Sequence, residues 1–306
     1  MPKRATLRDV AAAAGVSPTT ASFVLNDTPG QTIPEATRSR VHAAAAELAY
    51  VPHGVARALR EGSSRVVLLD TADIPHGPSL EAFTAGLSST LAEHGHTLLV
   101  HPAAGGDLAR TIADVRPRAV IDLGTLYGPD ATGTADGGWS TGLAAHTSRQ
   151  IEHLATLGHR VIAFAIPEDP KAHRLAELRL RHAAEAAEAQ GARLVPLALP
   201  SDDDQARAAA AALLRDHPDV TAAACYDDTL ALRLLVAMHH EGRSAPDDLA
   251  VIGFDGGQAP APWLTRLTTV TIDATEYGRR AAFAALGIDP GPRPSPVSQV
   301  TDGDTA

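Results

Sequence analysis

Aromatic residues are scarce in this chain of 306 residues, at 4%, and there are only two methionines and one cysteine. A lone cysteine, Cys225, excludes an intramolecular disulfide and fits a reducing compartment. No uncharged apolar run approaches the ~20 residues that cross a bilayer, which excludes a spanning helix. In the opening MPKRATLRDV, Arg8 and Asp9 stand where an export signal needs its apolar stretch. These absences lead us to expect a soluble, cytoplasmic protein without a membrane partner. Catalytic signatures are absent as well. The chain has no P-loop, no G-x-G-x-x-G after a strand, no H-E-x-x-H and no G-x-S-x-G, so an enzyme is not expected. Histidines are plentiful, at fourteen, but the close pairs His94/His96 and His239/His240 lack a further Cys or Asp at ligand spacing. We therefore expect no metal and no cofactor.

Positive charge is also in short supply, since the net charge is −10, which alone argues against nucleic acid. Its distribution reverses that reading. Residues 1–65 hold eight Lys/Arg against five acids, a net +3, and the remainder carries −13. A basic head on an acidic body can bind phosphate at one end and stay dissolved at the other.

Residues 6–48 read as three short helices. Leu7, Val10, Ala11 and Ala14 follow the spacing of a buried helix face, and Thr6 with Asp9 makes a capping-box start. Gly15 can end that helix in a left-handed conformation, and Ser17 can cap a second helix that opens with Pro18. With Ala21, Val24 and Leu25 buried, Pro18, Thr19, Ser22, Phe23 and Asn26 face outward. A glycine turn followed by a helix with a polar N-terminal face is the geometry of major-groove readout. A third helix, 34–48, packs Val41, Ala45 and Leu48 beneath. Residues 47–59 then give an extended Tyr-Val-Pro and one or two helical turns, too short to persist in water alone. Leu59 can wedge a minor-groove base step or pack as a plain linker residue.

From residue 65 onward apolar runs alternate with amphipathic stretches. The runs are 66–69, 97–100, 119–123, 161–166, 194–199, 220–225, 250–254 and 269–272, with helices at 80–94, 172–190, 205–216 and 229–241 among them. Such alternation implies parallel sheets covered on both faces, an α/β body behind an all-α head. The Gly/Thr-rich segment 124–142 is the expected crossing between two lobes. Residues 288–306, rich in Pro, Asp and Gly, read as a disordered tail.

The residues T-L-x-D-V-A-x-x-A-G-V-S at 6–17, V-L-N at 24–26, T-R-x-R-V at 37–41 and L-A-Y-V-P…A-R-x-L at 48–59 resemble the lactose/galactose-repressor family of bacterial regulators. Weaker blocks continue the resemblance to about residue 286. It implies a two-lobed, type I periplasmic-binding-protein-like body whose operator affinity is modulated by a small-molecule effector, possibly a sugar. In the head it implies that Pro18, Thr19 and Phe23 face bases, that Thr6, Ser22, Asn26 and His53 lie near phosphate, that Ser17 and Arg57 also bind DNA, and that Leu59 is the minor-groove lever. Phe23 departs from the family's frequent Arg, so base preference there should differ. In the body the resemblance places Arg179, Asp227 and Asp255 in the effector cleft, with Arg174 as the rival of Arg179. Gly77, Pro78, Ser79 and Leu80 replace the family's usual Asn-Pro-Phe-Phe, and its customary final strand is missing. Trp139, Tyr127 and Trp263 are the aromatics that could compensate. The implied partners are operator DNA, an effector and a second copy of the chain. The reading divides the sequence into a helix-turn-helix domain at 1–49, a hinge at 50–62, an effector-binding and dimerisation domain at 63–287 and the tail. Three alternatives stay open: a regulator with a degenerate cleft, a solute-binding protein, or an enzyme on the same fold.

Overall fold

The computed structural model describes residues 5–26, 28, 30–50, 64–72, 74, 76–102, 106–123, 139–170, 172–256, 266–292 and 296–306. It falls into two compact units, Met1–Arg65 and Val66–Ala306.

The head consists of α1 (Leu7–Ala14), α2 (Pro18–Leu25) and α3 (Glu35–Glu47). Three termini of the first two helices follow from their residues. Thr6 and Asp9 complete a reciprocal capping box, and Gly15 closes α1 at φ +64. Ser17 accepts a hydrogen bond from the Thr20 amide at 3.0 Å, with Pro18 in the first helical position. Val10, Ala11, Ala14, Ala21, Val24, Val41, Ala44 and Ala45 form one core, with Leu25 and Leu48 half-buried at its edge.

The body is built on two sheets. The first has the order β2-β1-β3, all parallel: β1 (Val66–Ala72), β2 (Thr97–Pro102) and β3 (Ala119–Asp122). Between these strands lie α4 (Pro78–Glu93) and α5 (Leu108–Val115). The second sheet has the order β5-β4-β6-β7-β8-β9. Its strands are β4 (Val161–Pro167), β5 (Arg193–Leu199), β6 (Ala222–Cys225), β7 (Ala250–Phe254), β8 (Thr268–Ile272) and β9 (Ser298–Thr301). Its helices are α6 (Trp139–Thr156), α7 (His173–Ala189), α8 (Asp203–Asp216) and α9 (Asp228–His240). Burial on both faces explains the run of Ala-Ala-Ala-Cys in β6. Ala223 and Cys225 enter one core with Leu213 and Leu234, and Ala222 and Ala224 enter the opposite one with Ile151 and Ala183. No helix among the described residues is long and apolar enough to cross a membrane.

Two expectations need correction. The tail expected at 288–306 is ordered at 296–306: β9 pairs antiparallel with β8, from Thr269 opposite Thr301 to Ile272 opposite Ser298. Thr305 is fully buried, its hydroxyl donating to the Val251 carbonyl at 2.7 Å and accepting from the Thr268 amide at 3.0 Å. The final strand is therefore present. Its four residues are polar at every position but one and follow a Pro-rich stretch, so partners in β8, rather than local propensity, hold it. The chain also passes between the lobes at two points beyond the crossing expected at 124–142. It leaves the first sheet after β3, returns with α10 (Ala274–Leu286), which packs Tyr277, Ala281 and Ala282 into the first-lobe core, and leaves again for β9. Most of the expected crossing at 124–142 lies outside the described residues.

Candidate functional site

In the head, Pro18 and Thr19 are exposed at the N-terminal end of α2, while Ser22, Phe23 and Asn26 are half-buried on the same helix. The Asn26 amide turns back onto α2, donating to the Ser22 carbonyl at 2.6 Å and meeting the Ser22 hydroxyl at 3.2 Å. Thr6 and Ser17 are exposed N-caps, so each stands where a helix N-terminus offers amides and partial positive charge to an anion. His53, Arg57 and Leu59 lie outside the described residues.

In the body, Asp227 and Asp255 follow the carboxyl ends of β6 and β7, neighbouring strands of one parallel sheet, where ligands of open α/β sheets bind. Both are half-buried. Asp227 caps α9, its Oδ1 accepting from the Leu230 amide at 2.7 Å. Burial raises its pKa, with the Leu230 amide and Arg179 pulling the other way. Asp255 is pushed up to about 6 by burial, partly offset by Ser79 and Arg179. Its Oδ1 accepts from the Ser79 amide at 3.2 Å, which joins the end of β7 to the start of α4. Asp228, next in sequence to Asp227, is buried and takes a 2.5 Å hydrogen bond from the Thr269 hydroxyl.

Arg179 lies close enough to feel the charge of both carboxylates. It is 2% exposed, whereas Arg174, one and a half turns earlier on α7, is exposed. The Arg179 guanidinium donates to Gln150 Oε1 at 2.6 Å, to the Thr147 hydroxyl at 3.3 Å and to the Tyr226 carbonyl. Its face lies 3.5 Å from the Phe254 ring centroid, a cation–π contact in a desolvated setting. Desolvation lowers its pKa to about 10, so it stays charged at neutral pH. Gln150 in turn donates to the Cys225 carbonyl at 3.0 Å and the Gly253 carbonyl at 2.8 Å. Arg179 and Gln150 together tie α6, α7, β6 and β7 into one polar network close to Asp227 and Asp255.

Sequence reasoning missed the α6 contribution. A signal was present, because Leu143, Thr147, Gln150, Ile151 and Leu154 share one helical face, and two polar side chains on an apolar stripe need buried partners. His146 belongs there too. It shares a 3.0 Å hydrogen bond with the Tyr277 hydroxyl, and burial together with Arg179 lowers its pKa to about 4, leaving it neutral. Tyr127 and Trp263 lie outside the described residues, as does the Trp139 side chain. Cys225 is buried, and burial holds its thiol well above the usual range.

Comparison with known proteins follows the same division. The family model for bacterial regulatory proteins of the lacI family matches residues 6–53, and the model for a periplasmic binding protein-like domain matches residues 151–301. The HTH-type transcriptional repressor CytR of Escherichia coli (strain K12) is 28% identical, over 92% of this chain and 89% of CytR. The HTH-type transcriptional repressor PurR of Vibrio campbellii is 29% identical over 90% of each chain. Among solved structures, the Lac repressor dimer bound to operator and the anti-inducer ONPF shares the fold, with a TM-score of 0.72 over 99% of each chain at 21% identity. With repressor relatives aligned along both the capped helical head and the two-sheet body, the chain carries the head of the lacI family of bacterial regulatory proteins on a periplasmic binding protein-like body, the architecture of a DNA-binding transcription regulator.

Proposed function

We propose that the chain represses transcription in the cytoplasm as a homodimer, reading its operator with α2 and answering to a small molecule held between the lobes of the body. The observation that carries this reading is the pair of capped helices joined by Gly15, with exposed Pro18 and Thr19 leading α2. In this reading Pro18, Thr19 and Phe23 meet base edges, and Thr6, Ser17, Ser22 and Asn26 meet the DNA backbone, helped by His53 and Arg57. Leu59 opens a minor-groove step. Asp227 and Asp255 accept hydrogen bonds from effector hydroxyls or amines, and Arg179 positions them. A sugar meets those demands through its hydroxyls, since charged acceptors bond them strongly.

Dimerisation is supported by apolar surface on the body. Leu99, Val100 and Val120 stand exposed on the first sheet, and the groove between α8 and α9 leaves Val236 exposed. A stable monomer in sedimentation at micromolar concentration, with DNA binding intact, would remove this part of the reading.

The test of the whole is selection of duplexes from a random library by the full chain, followed by titration in rising salt. We expect an enriched site with two half-sites, and an affinity that falls log-linearly with salt as phosphate counterions are released. Lack of enrichment, or an affinity indifferent to salt, would sink the reading. One observation favours a second reading, a regulator whose cleft takes no effector: the Arg179 donors described above are turned onto protein groups. Loss of operator binding in the presence of any small metabolite decides against it.

A further inference from the structure

The lobes of the body meet at a helix terminus. Gly77 is the N-cap residue of α4, and without a side chain it gives the first turn no cap of its own. A carboxylate from the other lobe fills that position, because the Ser79 amide donates to Asp255 Oδ1 at 3.2 Å. Amides at a helix N-terminus lack intrahelical partners and carry partial positive charge, so an anion is stabilised there. The approach is fitted to glycine: a Cβ on Gly77 would stand 2.6 Å from Asp255 Oδ2 and push the carboxylate aside. Asp255 itself holds a left-handed φ of +93, fixed by its amide donating to the Val270 carbonyl at 3.0 Å. Residues held this way persist only where their surroundings over-determine them.

Nor is α4 free to adjust alone. At Gly86 a Cβ would collide with the Thr275 carbonyl, and at Gly278 with the Phe83 carbonyl, so the backbones of α4 and α10 touch. The two helices therefore move as one piece. Only Asp273 separates α10 from β8 in the second sheet, which makes that link the natural hinge.

We infer that Asp255 is a latch between the lobes, with Gly77 and Ser79 as its positioning residues, so that capping α4 and closing the body are one event. The inference deepens the cleft reading and rests on it for its regulatory meaning. An effector that donates hydrogen bonds draws on the carboxylate that holds α4. It therefore biases the two arrangements through its different affinity for each.

The latch can be tested without DNA or effector. Buried Cys225 escapes labelling, so exposed Ser88 on α4 and exposed Gln190 just after α7 can be replaced by cysteine and spin-labelled in the full chain. We expect one narrow distance distribution in the parent. Asp255→Ala, Ser79→Pro and Gly77→Ala should each add a longer-distance population. Proline is tolerated in a first helical turn, so Ser79→Pro removes the amide donor and keeps the helix. Because Asp255→Ala and Ser79→Pro delete the same bond, the double variant should shift no further than either single one. Unchanged distances in Asp255→Ala, or shifts that add in the double variant, would overturn the latch. If Ser79→Pro melts, Gly77→Ala takes its place in the cycle with the same two outcomes. Failure here leaves the regulator reading standing, and failure of the operator titration leaves the latch standing.

Discussion

The head and the body use polar side chains in opposite ways. At the termini of the first two helices of the head the bonds are local and mostly exposed: Thr6 with Asp9, Ser17 with Thr20, Asn26 with Ser22, each three or four residues apart. Around the ends of β6 and β7 in the body they are buried and long-range. Arg179 reaches across 29 residues to Gln150, and Gln150 across 103 to Gly253. The head leaves its polar atoms beside water, where another molecule can take them. The body keeps the donors of Arg179 and Gln150 inside and presents Asp227 and Asp255 at the ends of β6 and β7.

The largest test of that contrast is Arg179→Ala. Removing a buried charge leaves Gln150, Thr147 and the Tyr226 carbonyl without their partner, which should cost about 3–5 kcal/mol. Thermal unfolding of the full chain measures it. A loss below about 1 kcal/mol would mean that the guanidinium is served by water and is open to ligand, which would erase the distinction.

Next in size is Phe23→Arg in the head. A half-buried side chain on α2 becomes a bidentate donor, which should favour guanine at one position of each half-site by ~1–3 kcal/mol. Parallel selections with both proteins check it, and identical consensus sites would show that residue 23 does not reach the bases.

Asp255→Asn sharpens the comparison from the body's side. The folded carboxyl titrates near 6, above its ordinary 3.8, so the folded state holds this proton more tightly than the unfolded one. Stability from this group is accordingly present below the unfolded pKa and lost as pH rises through the folded one. The full shift would correspond to about 3 kcal/mol, which partial solvent exposure reduces to about 1–2 kcal/mol at pH 7. Asparagine carries no such penalty, so the variant should melt higher than the parent at pH 7.5. Its advantage should shrink towards pH 4. An equal difference at both pH values would place the effect elsewhere.

The smallest expected change is Ser17→Ala, about 1 kcal/mol for one lost N-cap. Faster amide exchange should appear in α2 and leave the body unaltered. Protection lost throughout the chain would contradict the local character of the head's hydrogen bonds.

The same difference explains what the sequence disclosed. Thr6, Asp9, Gly15, Ser17 and Pro18 act within four residues of themselves, so the head's helices were readable almost to their caps. Strand runs such as 161–166 and 250–254 were readable because burial on both faces demands continuous apolar residues. Arg179, Asp227 and Asp255 came from resemblance, and their surroundings had no local trace. Nothing near Arg179 in the sequence announces Gln150, and nothing near Asp255 announces Gly77. β9 was missed for the same reason, since its four residues form a strand only because β8 offers an edge.

The three passages of chain between the lobes also limit what the body can do. One tether lets two bodies take any orientation, and two still allow twisting about the line that joins them. One of the three is the single residue Asp273 between β8 and α10, so at that point the lobes cannot separate and relative motion is a swing about it. A molecule that binds the body is therefore reported as a swing about Asp273 rather than as a parting of the lobes there.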